Sequence, residues 1–120
     1  MSRILIVEDE VLIRLVLAEV LESAGFEVVE AGSGDEAAEI LEQGELTIDL
    51  VLTDIRMPGK MDGFQLALWM RDKYPKIPVF LASGNTGKAE TTSQLAPGYP
   101  FFPKPYNVDN VVSLIRDALK

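Results

Sequence analysis

The sequence contains no cysteine and no histidine. Without cysteine there is no disulfide framework, thiolate nucleophile or sulfur-bound zinc, and without histidine neither an imidazole base nor an imidazole metal ligand is available. Any metal must be held by oxygen, which favours magnesium, manganese or calcium. Long apolar runs are missing too. Nothing reaches the length of a membrane span, and the N-terminus lacks the charged, apolar and small-residue order of a cleaved leader, so a soluble, unprocessed, cytoplasmic protein is expected. Positive charge is scarce: 19 Asp and Glu face 11 Lys and Arg, for a formal charge of -8. That balance argues against a sequence-independent grip on nucleic acid phosphates, and for most of these acids solubility is explanation enough.

What is present is 120 residues, 48% of them hydrophobic, the size of one domain with one core. A single domain over 1–120 is expected, with no effector domain. Short apolar runs alternate with longer helical patterns about five times, which argues for βα units and a parallel sheet covered by helices. The runs predict strands at 3–7, 26–30, 48–53, 77–81 and 99–102, and helices at 11–24, 35–43, 63–73 and 107–119. Gly25 and Gly44 read as helix stops, and Ser33 or Gly34 and Asn107 as starts. Right-handed crossovers in this length fit a doubly wound α/β sheet of order 2-1-3-4-5, a three-layer sandwich with strands one and three central. A further helix at 88–96 is expected to be short or mobile, because Lys88–Ala96 holds few apolar residues and lies between glycines and the Pro97-Gly98-Tyr99-Pro100 breaker.

The strand ends carry the chemistry. Asp49-Leu50-Val51-Leu52-Thr53 stops on Asp54, and Arg3-Ile4-Leu5-Ile6-Val7 runs into Glu8-Asp9-Glu10. Ligands of open α/β sheets collect beyond the carboxyl ends of such strands. If the two strands are neighbours, their acids meet there and repel by roughly 4 kcal/mol per pair at about 4 Å, so a cation is expected. Pro78-Val79-Phe80-Leu81-Ala82 delivers Ser83, and Tyr99-Pro100-Phe101-Phe102 leads to Pro103-Lys104-Pro105. Alone, Ser83 reads as a turn serine, Lys104 as a solvated lysine and Glu10 as a helix-start acid. Together, carboxylates, a hydroxyl and an ammonium suit phosphoryl transfer, with Asp54 as a possible nucleophile.

Over its whole length the chain resembles the receiver domain of two-component response regulators, of the single-domain, chemotaxis-regulator-like kind. The matching features are Glu8-Asp9, Asp54-Ile55-Arg56-Met57-Pro58-Gly59 followed by Met61-Asp62-Gly63, Ala82-Ser83-Gly84, and Lys104-Pro105. The resemblance implies a flavodoxin-like (βα)5 fold and a phosphoacceptor, Asp54, supplied by a sensor histidine kinase or a histidine phosphotransfer protein. It implies Mg2+ on Asp9, Asp54 and the Arg56 carbonyl, with Glu8 holding it through water, and Ser83 and Lys104 on the phosphoryl oxygens. It implies a cis Lys104-Pro105 bond, slow autodephosphorylation tuned by Arg56 and Asn85, and signalling by docking rather than turnover.

Two departures stand out. Lys60 lengthens the loop between Pro58-Gly59 and Met61-Asp62-Gly63. Phe101 stands where many receivers carry an aromatic switch, and it has no hydroxyl to hydrogen-bond. A switch acting through ring burial and a ring that merely lines the core stand side by side.

The first helix has more apolar residues than one face needs. At about 100° per residue Ile13, Val16, Leu17, Val20, Leu21 and Ala24 form the expected core stripe, while Val11, Leu15 and Ala18, with Leu12 at the boundary, point elsewhere. These four are expected to dock the kinase or phosphotransfer protein, or else to widen the buried stripe. Two other classes compete. Ser83–Glu90 looks like a flavodoxin phosphate loop but follows the fourth strand instead of the first. An Asp-nucleophile phosphatase would need an acid where Arg56 stands.

Overall fold

The computed structural model describes residues 2–55, 59, 61–83, 101–103 and 108–119, with backbone alone at 82, 83, 101–103 and 108–110. The strands are β1 (Arg3–Val7), β2 (Glu27–Ala31), β3 (Leu50–Asp54), β4 (Val79–Ser83) and β5 (Phe101–Pro103). The helices are α1 (Val11–Ser23), α2 (Gly34–Gln43), α3 (Gly63–Lys73) and α4 (Val108–Ala118). The sheet is parallel throughout, in the order β2-β1-β3-β4-β5. This is the doubly wound, flavodoxin-like architecture expected from the alternating pattern. The weak helix at 88–96 and the helix start at Asn107 lie outside the described residues.

The central strands are buried on both faces, as parallel strands under two helical layers must be. Their side chains alternate between two cores. Ile4, Ile6, Leu50, Leu52 and Phe80 pack with Leu17, Ala18 and Leu21 of α1 and Val111 and Ile115 of α4. Leu5, Val7, Val51, Val79 and Leu81 pack with Ala37, Ala38 and Leu41 of α2 and Leu66, Ala67 and Met70 of α3. Truncating one of these large side chains to alanine costs about 2–5 kcal/mol.

Local chemistry sets the helix ends. Ser33 caps α2 by accepting from the Glu36 N–H at 3.1 Å, and Gly44 closes it with a left-handed φ of 67°. Asp62 opens α3 in a reciprocal capping box with Gln65. Trp69, half-buried, meets Tyr74 edge-on at 5.6 Å, and the Tyr74 hydroxyl donates to the Leu41 carbonyl, tying α3 to α2.

Two expectations for α1 are corrected. Ala18, expected on the outward face, is buried at 4% exposure, while Val16, expected in the core, is 55% exposed. The inward face is centred on Leu17, Ala18 and Leu21. Small Ala18 suits the side of the helix that packs against the sheet, a property that hydropathy alone ranks below the larger Val16. Val11 and Leu15 stand outward as expected, and Leu12, expected at the boundary of the stripe, is the most exposed at 78%.

Candidate functional site

Val7 pairs with Thr53, so Glu8 and Asp9 leave β1 beside the end of β3, where Asp54 stands. Asp54 in turn pairs with Ala82 of β4, and Ser83 pairs with Pro103 of β5. Four strand ends, two of them carrying the acids, therefore share one edge of the sheet.

Glu8, Asp9 and Asp54 bring one carboxylate oxygen each within 4.8 Å of one another. Glu8 is 2% and Asp54 8% exposed, whereas Asp9 lies open to solvent. The Glu8 N–H donates to the Ala31 carbonyl at 3.0 Å, and a Glu8 carboxylate oxygen accepts from the Glu10 N–H at 3.3 Å. Glu10 itself is the residue before α1 and stays outside the cluster, as a helix-start acid should.

Asp54 is fixed by its neighbours. The Ile55 N–H donates to Asp54 Oδ1 at 2.9 Å, and the Thr53 hydroxyl donates to the Asp54 carbonyl at 2.9 Å. The chain then doubles back, so that the Gly63 N–H reaches the Ile55 carbonyl at 2.9 Å. A Cβ at Gly63 would collide with the Asp54 carbonyl oxygen, and one at Gly34 with the Met61 carbonyl oxygen. Gly63 thus lets the first turn of α3 close on the acid.

Three ionised carboxylates at this spacing repel by about 3 kcal/mol per pair at an effective dielectric near 20. Hard divalent cations prefer an all-oxygen donor set of this kind. The residues present therefore fit magnesium, and a site at the carboxyl edge next to the β1/β3 switch point is where an α/β sheet binds ligands.

Of the residues singled out by sequence, the structure brings Glu8, Asp9 and Asp54 together and sets the Ser83 backbone beside them at the same edge. Phe101 lies on β5, described by its backbone. Arg56, Asn85, Lys104 and the Lys104-Pro105 bond lie outside the described residues. Sequence reasoning passed over Arg14, whose guanidinium reaches the Glu8 carbonyl at 2.7 Å and Glu30 Oε1 at 3.1 Å. A signal was there: between Arg3 and Arg56 it is the one cation among fourteen acids.

Comparison with known proteins agrees with this geometry. The family model for the response regulator receiver domain matches residues 4–116. The chain is 34% identical over 115 residues to the DNA-binding transcriptional regulator NtrC of Klebsiella pneumoniae, covering 95% of this chain and 24% of that protein. It thus spans about a quarter of the length of that relative. A response regulator receiver protein from Sinorhizobium medicae superposes with a TM-score of 0.90 at 31% identity, covering 98% of this chain and 94% of that one. Response regulator TrrA of Thermotoga maritima, solved in complex with Mg(2+)-BeF, gives 0.86 at 31% identity over 99% of this chain and 100% of that one. No support emerges for a flavin-binding role. The chain belongs to the response regulator receiver domains, the phosphoacceptors of two-component signalling.

Proposed function

We propose that Asp54 is the phosphoacceptor. The observation that carries this reading is the convergence of Glu8, Asp9 and Asp54 within 4.8 Å, with Asp54 buried to 8% exposure at the edge of the sheet. An Asp54 carboxylate oxygen attacks the phosphorus of a phosphohistidine on a sensor kinase or phosphotransfer protein. The new P–O bond forms as the P–N bond breaks, and the electron pair leaves on the imidazole nitrogen, which takes up a proton. Glu8, Asp9, Asp54 and the Arg56 carbonyl would hold Mg2+, which when bound neutralises charge on the transferring phosphoryl oxygens. Ser83 and Lys104 would contact those oxygens.

The aspartyl phosphate so formed is lost slowly to water, with Arg56 and Asn85 tuning the rate and Phe101 reporting the phosphorylated state through burial of its ring. The domain is a stoichiometric acceptor working in the cytoplasm. Val11, Leu12 and Leu15, half or more exposed at the amino-terminal end of α1 near the acids, would dock the phosphodonor. Intact-mass measurement after incubation with a small phosphodonor and Mg2+ tests the central claim. One phosphoryl group on the wild type and none on Asp54→Asn is expected; equal incorporation by both would move the acceptor elsewhere.

A further inference from the structure

Arg14 is half-buried on α1, its side chain only 19% exposed. On an acidic chain such a cation would be expected to sit against the nearest carboxylate cluster. Its contacts are different. Nη1 donates to the carbonyl of Glu8 at 2.7 Å, the peptide oxygen that lies between Glu8 and Asp9, and Nε donates to Glu30 Oε1 at 3.1 Å on the edge strand β2. The planar fork of a guanidinium can serve two acceptors at once, and an ammonium cannot do so with the same geometry. Gly32 leaves room for it: a Cβ there would lie 3.3 Å from Nη1. The same turn is held by the Glu8 N–H on the Ala31 carbonyl at 3.0 Å and by the Arg14 N–H on the Glu10 carbonyl at 3.0 Å. The guanidinium therefore fastens the peptide unit that leads into Asp9, whose rotation would move Asp9 relative to Glu8 and Asp54.

We propose that Arg14, held by Glu30, is a positioning residue that fixes the Glu8-Asp9 peptide and so raises the affinity of the three-carboxylate site for Mg2+. This rests on the magnesium reading of that site. Charge and position predict opposite signs here. A cation next to an acidic site repels a divalent ion, so by charge alone its removal tightens Mg2+ binding. If Arg14 positions Asp9, its removal weakens binding.

Isothermal titration of MgCl2 into the full chain distinguishes them. Arg14→Met is expected to weaken Mg2+ binding about tenfold, the scale of losing a support behind a metal ligand, and Arg14→Lys to recover part of the loss. Glu30→Gln should weaken binding less, and should add nothing in the Arg14→Met background. In metal-free protein, the Glu10 N–H should exchange with solvent faster in Arg14→Met than in the wild type. Unchanged or tighter Mg2+ binding by Arg14→Met, or a Glu30→Gln loss that persists in full in the double variant, overturns the proposal. Should Arg14→Met not fold, Glu30→Gln alone decides, because unchanged binding by that edge-strand variant overturns it as well. A wild-type chain that takes up no Mg2+ overturns the magnesium reading beneath it; a wild type that binds while Arg14→Met binds equally well overturns this inference alone.

Discussion

At the amino edge of the sheet Asp49 accepts the Arg3 N–H at 2.7 Å, and the Arg3 guanidinium pairs with Glu27 at 2.8 Å and donates to the Thr47 carbonyl at 3.1 Å. At the carboxyl edge Glu8, Asp9 and Asp54 converge on one another within 4.8 Å, while the nearby Arg14 serves the backbone and Glu30. The same residue types stand at both ends of the same strands. At one end each acid meets a donor and ties neighbouring strands together. At the other, Glu8 and Asp54 also accept backbone N–H groups, from Glu10 and Ile55, but three carboxylates gather within 4.8 Å, and a divalent cation would relieve their mutual repulsion. Where acids are spread out they tie strands together, and where they gather their oxygens can hold a cation.

The largest test of that contrast is loss of function. Asp54→Asn is expected to abolish phosphoryl incorporation from a small phosphodonor, while Asp49→Asn leaves it intact; mass spectrometry of both variants decides, and loss in both would erase the contrast. Next, Leu15→Asp should slow transfer from a kinase or phosphotransfer protein by about tenfold or more, as removing a contact hot spot does, and spare the small phosphodonor. Loss of both activities would point instead to misfolding. Gly63→Ala forces a Cβ onto the Asp54 carbonyl and should cost about 1–3 kcal/mol in a denaturant titration. The smallest effect is the sharpest in sign. Without metal, Asp9→Asn should stabilise the fold by about 1 kcal/mol through relieved repulsion while weakening Mg2+ binding. Asp49→Ala should destabilise it by about 1 kcal/mol through the lost hydrogen bond, with Mg2+ affinity untouched. Equal signs for the two would show that the edges do not differ.

Much of this architecture can be read from the chain. Parallel strands buried on both faces appear as uninterrupted apolar runs, so β1 and β3 stand out, and the polar residue that ends each run marks the edge where the site lies. The strand limits were less legible. Ile48 is buried and reads as strand, but β3 begins at Leu50, because Asp49 spends its carboxylate and its N–H on Arg3 at the entry to the ladder. The acids were found by their position after apolar runs. Arg14 escaped because its value lies in a carbonyl oxygen and a glutamate on another strand, neither of which leaves a spacing in the sequence. Val16 and Ala18 were exchanged because periodicity reports which residues are apolar and not which side of the helix can approach the sheet most closely.

The order β2-β1-β3 has a kinetic consequence. Asp9 and Asp54 are far apart along the chain and become neighbours only when β1 pairs with β3 across the whole of β2 and α2. Such non-local parallel pairing is slow to form. The unfolded chain therefore presents no clustered site, and the repulsion between the acids is felt only once β1 and β3 have paired. Mg2+ is then expected to leave the refolding limb of a chevron almost unmoved and to depress the unfolding limb. Its concentration would set how long the folded domain lasts, and have little effect on how quickly it is made.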